Sequence, residues 1–152
     1  MSQGILGTNV VAQIGILVHD IEATSQKFTE VFGLEKPNVI VTDEVEQAQT
    51  EFEGRRTEAR AKLAFFQMGN LQLELIEPDR HPSTWRNYLD EHGEGVHHIA
   101  FVIEGMKEKI ALFEQRGMPL QQKGEYKGGR YAYLDATGPL KMIIELLEND
   151  KP

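Results

Sequence analysis

The sequence predicts an α+β fold built from two copies of one βαβββ unit, whose matching strands meet at a central cleft. The order strand, helix and then three strands occurs twice along the 152 residues. The two halves also match in residue type, and each carries a glutamate between apolar neighbours in its last strand. A repeat of this kind indicates a duplicated structural unit, here within one domain over residues 1–152.

The first module covers about residues 10–78. It opens with a β-rich run over residues 10–18, followed by Asp20, a residue type that caps helix N-termini. Apolar residues then recur at helical spacing until Gly33, and glycine favours the left-handed conformation that ends helices. The module therefore begins with a predicted strand and helix.

Two apolar runs, residues 39–41 and 63–66, are predicted strands of the same module. The charge-dense stretch between them, residues 42–60, is predicted to be a solvated, mobile loop that could act as a lid over the cleft. The tight-turn pair Gly69-Asn70 then joins the second run to a last strand over residues 71–76, in a hairpin pattern.

A connecting segment, about residues 81–93, is predicted to be helical and leads to the second module, about residues 95–148. This module opens with a second β-rich run over residues 96–103. A helix is predicted from about Met106 to Arg116, on the same apolar spacing as in the first module. Three short strands follow, around Leu120, over residues 131–134 and over residues 142–147.

When the two modules are aligned, residues of coordinating type fall at equivalent positions. Gln13 in one first strand matches His98 in the other, and Glu74 in one last strand matches Glu145. Taken singly, each glutamate would be interpreted as exposed and the histidine as a core residue. A carboxylate that shares a strand face with Ile76 is costly to bury without a partner. The four equivalent positions therefore predict a divalent metal in the central cleft.

Several motifs together indicate a known family. They are QIGI at residues 13–16 before Asp20-Ile21-Glu22, Gly69-Asn70 before LELIEP at residues 73–78, GEGVHHIAF at residues 93–101, and IIEL at residues 143–146. On these motifs the sequence resembles the vicinal oxygen chelate superfamily, which includes glyoxalase I, bleomycin-resistance proteins, extradiol dioxygenases and methylmalonyl-CoA epimerase. The resemblance is greatest to the epimerase branch.

This resemblance spans about residues 11–148 and implies a cupped mixed sheet around a divalent metal. It implies the same four metal ligands, with the second histidine of the His97-His98 pair as the ligand. The chemistry implied for an epimerase is removal of a proton from the carbon next to a carbonyl. The substrate, a small molecule or an acyl-CoA thioester, would be held at the metal. Glu145 matches one of the two catalytic glutamates of that branch.

The sequence departs from the epimerase pattern at two positions. Gln13 stands where epimerases usually have histidine, and Leu63 stands where they have their second catalytic glutamate. The Gln/Glu/His/Glu set instead resembles some zinc-dependent glyoxalase I enzymes, but Glu94 replaces their glutathione-binding arginine. A lactoylglutathione lyase is therefore one alternative, and a non-catalytic protein that sequesters a small molecule is another.

An imidazole, an amide oxygen and two carboxylates suit Zn²⁺, Co²⁺, Ni²⁺ or Mn²⁺. Such a cation would act as a Lewis acid and stabilise the negative charge that develops when a proton leaves carbon next to a carbonyl. Glu145 is the first candidate for the catalytic base and Glu74 the second. Lys127 and Arg130, in a loop that borders the cleft in the family, are candidates for contacting an anionic substrate.

A net charge of −8 argues against nucleic-acid and anionic-membrane partners, because both would be repelled. Cysteine is absent, so thiolate metal sites and cysteine nucleophiles are excluded. The N-terminus lacks the pattern of a secretory signal, so a cytoplasmic location is the default expectation. Analogy with the family suggests a homodimer.

Overall fold

The computed structural model describes residues 4–152. In this part of the chain, ten strands and four helices follow in an order that matches the predicted modules, except that the first module also contains a short helix and two short strands. The strands are β1 Gln13–Leu17, β2 Ile40–Val41, β3 Glu51–Phe52, β4 Arg55–Arg56, β5 Ala61–Gln67, β6 Gln72–Pro78, β7 Gly95–Val102, β8 Leu120–Tyr126, β9 Gly129–Ala136 and β10 Met142–Asn149; the helices are α1 Ile21–Phe32, α2 Val45–Ala48, α3 Thr84–His92 and α4 Met106–Gln115.

All ten strands belong to one curled mixed sheet with the order β2-β5-β6-β1-β7-β10-β9-β8-β3-β4. At its centre β1 runs antiparallel to β7, and each of these strands is parallel to the last strand of its own module, β6 or β10. The two halves are thus arranged symmetrically about the β1–β7 pair. The predicted α+β fold with a duplicated unit is confirmed.

Helices α1 and α4 occupy equivalent positions on the convex face of the sheet. Helix α1 begins at Ile21 because the Asp20 side chain accepts a hydrogen bond from the Ala23 N–H at 3.1 Å. It ends where Gly33, at φ 66°, donates its N–H to the carbonyl of Thr29. Each helix packs an apolar face on its own half of the sheet, which leaves the concave face open for a site.

The charge-dense stretch over residues 42–60 is not the solvated loop that its composition predicts. It contains α2, β3 and β4, and β3 pairs with β8 of the second module. Its chain therefore runs from β2 on one side of the sheet to β8 on the other, across the concave face. Its buried side chains lie at irregular spacing among charged neighbours, so no periodic pattern reveals them; they are Val45, Ala48, Thr50, Phe52, Thr57 and Ala59.

None of the helices in the described part of the chain combines the length and the apolar character needed to cross a membrane.

Candidate metal centre and active-site cavity

The four central strands bring the four predicted metal ligands together on the concave face. Gln13 lies on β1, Glu74 on β6, His98 on β7 and Glu145 on β10. All four are buried, with exposed fractions of 6%, 7%, 0% and 5%. Each module supplies one of these residues from its first strand and one from its last, as the alignment of the repeats predicts.

The polar ends of these side chains converge on His98. Its Nε2 atom lies 3.0 Å from Glu145 Oε1, 3.6 Å from Glu74 Oε1 and 3.1 Å from Gln13 Oε1. One atom each from the histidine and the two glutamates lies within 4.8 Å of the others, so this group could hold a metal ion. Gln13 and Glu145 are 132 positions apart in the sequence, and the repeat is the feature of the sequence that predicts their proximity.

A glycine on β1 makes this convergence possible. Gly15 pairs with both Glu74 and His98 in the sheet, so it lies between the two side chains. A Cβ atom at this position would come within 2.0 Å of the His98 ring. The absence of a side chain at residue 15 therefore gives the imidazole the space it occupies at the centre of the site.

The electrostatics of the group favour a cation. Burial raises the pKa of Glu74 well above its usual value, and the nearby charge of Glu145 raises it further. The Gln13 amide oxygen faces the same cluster of acceptor atoms while its nitrogen donates to Gln72 at 2.7 Å. Facing acceptors repel unless a cation or a proton lies between them, and a divalent metal bound by these donor atoms would satisfy all of them.

The Gln13 amide has a second orientation that suits a metal-free site. If it turns over, its nitrogen can donate to Glu74 Oε1 at 3.2 Å and to Glu145 Oε1 at 3.1 Å. The oxygen would then face Gln72, whose own amide would have to turn as well. One side chain can thus serve as an oxygen ligand or as a hydrogen-bond donor to the two carboxylates.

A chain of buried hydrogen bonds sets the tautomer of His98. Thr84 donates its hydroxyl proton to Gln121 at 2.7 Å, so its oxygen accepts from His97 Nε2–H at 3.0 Å. His97 Nδ1 is then the acceptor for His98 Nδ1–H at 2.9 Å. In the neutral ring, His98 Nε2 keeps its electron pair and directs it at the carboxylate cluster, as a metal ligand must.

His97 contacts the candidate metal centre through His98, and the sequence alone does not indicate this contact. Strict alternation would turn it away from His98, but the register between β1 and β7 shifts after Gly15, so both histidines are buried. Burial lowers the pKa of His97 well below its usual value, and His98 lowers it further. A neutral His97 can accept the proton of its neighbour.

Gln13, Glu74 and Glu145 line a cavity of about 500 Å³ between the sheet and the segment that crosses its concave face. Its wall contains residues from both modules and from that segment. The lining residues are Gln13, Ile40, Val41, Thr42, Asp43, Ala48, Thr50, Leu63, Phe65, Gln72, Glu74, Trp85, Glu125, Tyr126, Lys127, Tyr131, Tyr133, Glu145 and Leu147. Ligand cavities of proteins commonly have this size and largely apolar character.

Two tyrosines on β9 line this cavity and were not indicated by the sequence. The hydroxyl of Tyr133 accepts a hydrogen bond from Trp85 Nε1 at 3.1 Å, and that of Tyr131 accepts one from Gln122 Nε2 at 3.1 Å. Burial raises the pKa of both hydroxyls, and the charges of the two cluster glutamates raise it further. Both groups are therefore neutral hydrogen-bond donors at physiological pH.

Leu63 and Glu94, which differ from the epimerase and glyoxalase I patterns, have defined positions in the structure. Leu63 lies on the cavity wall, while Lys62 points outward and pairs with Glu77 at 3.5 Å. Glu94 is outside the cavity lining, where its carboxylate accepts the backbone N–H of His19.

The two candidate anion-binding residues of the cleft loop differ in position. Lys127 lines the cavity, whereas Arg130 does not. Arg130 instead forms ion pairs with Glu125, Glu148 and Asp150. Its charge is therefore already neutralised within the protein, and the expectation that it could contact an anionic substrate has no support from its position.

The chain resembles other proteins over nearly its whole length. The family model described as the Glyoxalase/Bleomycin resistance protein/Dioxygenase superfamily matches residues 12–133. The uncharacterized protein YqjC of Bacillus subtilis (strain 168) is 27% identical over 143 residues, which are 92% of each chain.

Solved structures of methylmalonyl-CoA epimerases share the fold. One from Streptomyces coelicolor, a variant in complex with 2-nitronate-propionyl-CoA, has a TM-score of 0.63 at 24% identity and covers 94% of this chain and 99% of its own. One from Mycobacterium tuberculosis has a TM-score of 0.64 at 17% identity, with 99% and 93% covered. On the family match and the shared architecture, the chain belongs to the glyoxalase/bleomycin resistance/dioxygenase superfamily.

Proposed function

We propose that this protein is a divalent-metal-dependent enzyme that removes a proton from carbon next to a carbonyl group, as an isomerase, an epimerase or a lyase. The observation that carries the proposal is the convergence of Gln13, Glu74, His98 and Glu145 on one buried point at the base of a cavity. The substrate would be a small carbonyl compound or the acyl part of a thioester.

Burial of two neighbouring carboxylates needs an explanation, because an uncompensated buried charge is strongly unfavourable. A proton on Glu74 would remove one charge, and a divalent cation would compensate both. The set of one imidazole, one amide oxygen and two carboxylates suits Zn²⁺, Co²⁺, Ni²⁺ or Mn²⁺. A cation of this kind would supply Lewis acidity, which polarises a carbonyl and makes the adjacent C–H more acidic.

Two carboxylates lie on opposite sides of the central strand pair. Glu74 is on β6 and Glu145 on β10, with β1 and β7 between these strands. A ligand at the centre would have one carboxylate on each side, so Glu145 can accept a proton from one side of a carbon and Glu74 can return a proton from the other. This arrangement supports isomerisation or epimerisation, in which the proton removed is replaced and no redox change occurs.

Leu63 restricts how such a reaction can proceed. It lies on the cavity wall where the epimerase pattern has its second catalytic glutamate, and leucine cannot accept a proton. The deep carboxylates among the described lining residues are Glu74 and Glu145, so the metal-binding glutamates themselves must act as base and acid. In the alternative, a glyoxalase I-type lyase, we also expect the glutamates to serve both as metal ligands and as base or acid.

The first experiment measures the metal content of the purified protein after incubation with Zn²⁺, Co²⁺, Ni²⁺ or Mn²⁺ and dialysis. We expect about one equivalent of metal in the wild type and loss of tight retention in His98→Ala and Glu145→Gln. Exposed residues of the same types provide the controls His19→Ala and Glu91→Gln, which should retain the metal. Wild-type retention in both cluster variants would contradict the proposed site.

The second experiment tests the reaction. The metal-loaded protein is incubated in D₂O with candidate acyl-CoA and keto compounds, and deuterium at the carbon next to the carbonyl is measured by mass spectrometry. We expect exchange that Glu145→Gln reduces by at least 100-fold, because this variant loses both a carboxylate base and tight metal retention. Turnover of the methylglyoxal–glutathione adduct would support the lyase, and ligand binding without exchange by any compound would support sequestration.

A further inference from the structure

The wall of the cavity beyond the four cluster residues is mainly apolar. It consists of side chains from both modules, and aromatic rings form a large part of it. These residues are Ile40, Val41, Ala48, Leu63, Phe65, Trp85, Tyr126, Tyr131, Tyr133 and Leu147. A surface of this composition gains free energy by covering an apolar group and loses it by removing water from a charged one.

The charges around the mouth of the cavity are mostly negative. Lys127 is the only cation among the described lining residues, and it is accompanied there by Asp43 and Glu125. Arg130 pairs with Glu125 at 3.7 Å, but it also pairs with Glu148 and Asp150. One guanidinium thus serves three carboxylates and offers no excess positive charge to a ligand.

The polar groups of the wall suit neutral oxygen atoms. The hydroxyls of Tyr131 and Tyr133 each accept a hydrogen bond from another side chain, from Gln122 and Trp85 respectively. The proton of the Tyr133 hydroxyl is then available to a ligand, whereas the Tyr131 hydroxyl also has Thr50 as a hydrogen-bonding neighbour. Neutral donors of this kind orient a carbonyl or ether oxygen without the charge that a carboxylate or phosphate would require.

We propose that the substrate consists of a metal-binding pair of oxygens and a body that is uncharged and largely apolar, such as an aromatic ring or a branched aliphatic chain. The cavity selects against a second anionic group on that body. This inference rests on the proposed function, because it assigns the oxygen pair to the metal cluster and the body to the remaining wall.

Three matched probes test the inference by isothermal titration of the zinc-loaded protein. Benzohydroxamic acid supplies two adjacent oxygens and an aromatic body. The 4-carbamoyl and 4-carboxy derivatives have nearly the same size as each other and differ in charge. We expect the carbamoyl compound to bind at least tenfold more tightly than the carboxy compound, with the parent compound binding at least as well as the carbamoyl compound.

Equal or tighter binding of the carboxy compound would overturn the inference and leave the metal site intact. Failure of all three probes to bind a protein that contains zinc would also overturn it. A protein that takes up no zinc would instead contradict the proposed function, and metal analysis before the titration detects that case separately.

A double variant, Asp43→Asn with Glu125→Gln, tests whether the mouth carboxylates produce the preference. We expect it to bind the carboxy compound several-fold more tightly than the wild type does, with binding of the carbamoyl compound changed by less than about twofold. Glu91→Gln, an exposed change outside the cavity, should alter neither. An unchanged ratio of the two affinities in the double variant would refute the role of these charges.

Discussion

Thr84, His97 and His98 form a line of hydrogen bonds in which each polar atom has a defined role. The direction of the line follows from one end, because Gln121 can only accept the Thr84 proton through its amide oxygen. The donors in the next two hydrogen bonds follow from this one: His97 Nε2–H donates to Thr84, and His98 Nδ1–H donates to His97. The Nε2 atom of His98 is thus oriented by a residue on α3 that belongs neither to the four-residue cluster nor to the cavity lining.

Replacing Thr84 by valine tests this line. Valine keeps the shape of threonine and removes the acceptor for His97 Nε2–H, so we expect a loss of about 1–3 kcal/mol in the free energy of unfolding. We also expect metal affinity to fall by about 10–100-fold, since outer partners of metal-binding histidines have effects of this size. Equilibrium metal titration and ¹⁵N chemical shifts of the His98 ring measure the two effects, with Thr24→Val as the control.

An unchanged ¹⁵N pattern of the His98 ring in Thr84→Val would refute a positioning role for Thr84, even if the variant is less stable. Loss of stability without a change of tautomer would indicate a role in packing alone.

The raised pKa of Glu74 predicts the pH dependence of the metal-free protein. A carboxyl whose pKa is higher in the folded state than in the unfolded state binds more protons when folded, so stability falls as pH rises between the two values. The window opens near the ordinary value of 4.5 and extends upward to the raised one. Within it, the difference in unfolding free energy between wild type and Glu74→Gln should fall by up to about 1.4 kcal/mol per pH unit.

Urea unfolding of the metal-free proteins at pH values from about 5 to 8 measures this slope. The control variant Glu91→Gln should show the wild-type dependence on pH. A constant difference between wild type and Glu74→Gln across the range would show that Glu74 ionises as an ordinary exposed carboxyl does.

At the scale of elements, the long strands and helices and the short strand β2 could be predicted from sequence, whereas α2, β3 and β4 could not. The Gly69-Asn70 turn and the Asp20 cap mark their elements by residue type, and the structure has a hairpin and a helix there. Strands β3 and β4 contain two residues each, too few for alternation to be visible. Among the described strands, β4 pairs only with the adjacent β3, and β3 pairs in turn with β8, about 70 residues later, which no local pattern contains.

Phe52 is the side chain that best tests the importance of this crossing segment. It lies on β3, is 7% exposed and belongs to a segment otherwise rich in charge. Replacing it by alanine should lower the free energy of unfolding by about 3 kcal/mol, the usual size for a buried phenylalanine. Amide exchange over residues 45–56 should accelerate as β3 separates from β8.

Val31→Ala is the matched control, because Val31 is 72% exposed and its loss should change stability by less than about 0.5 kcal/mol. Urea unfolding and hydrogen exchange monitored by mass spectrometry provide the measurements. If exchange over residues 45–56 were unaffected by Phe52→Ala, the segment would be held over the cavity by its other contacts.

At the scale of the whole molecule, the repeat explains why the site could be predicted in so much detail. Equivalent strands of the two modules fix the relative positions of Gln13, Glu74, His98 and Glu145, so residue type and repeat position were sufficient to select them. His97, Tyr131 and Tyr133 have no such marker. His97 lies beside His98 because of a register shift, and β9 brings Tyr131 and Tyr133 to the cavity wall; both are properties of the folded molecule.

Because each module supplies two of the four cluster residues, a bound metal would connect the two halves of the sheet. A ligand that binds only the folded state stabilises it by RT ln(1 + [L]/Kd), or about 2.7 kcal/mol at 100 times Kd. We therefore expect saturating Zn²⁺ to raise the free energy of unfolding of the wild type by at least about 2 kcal/mol, and EDTA to reverse the gain. His98→Ala should lose this gain and His19→Ala should keep it. An equal gain in His98→Ala would mean that zinc stabilises the protein from some other position, and the two modules would then be held together by their β1–β7 pairing and shared core without a metal between them.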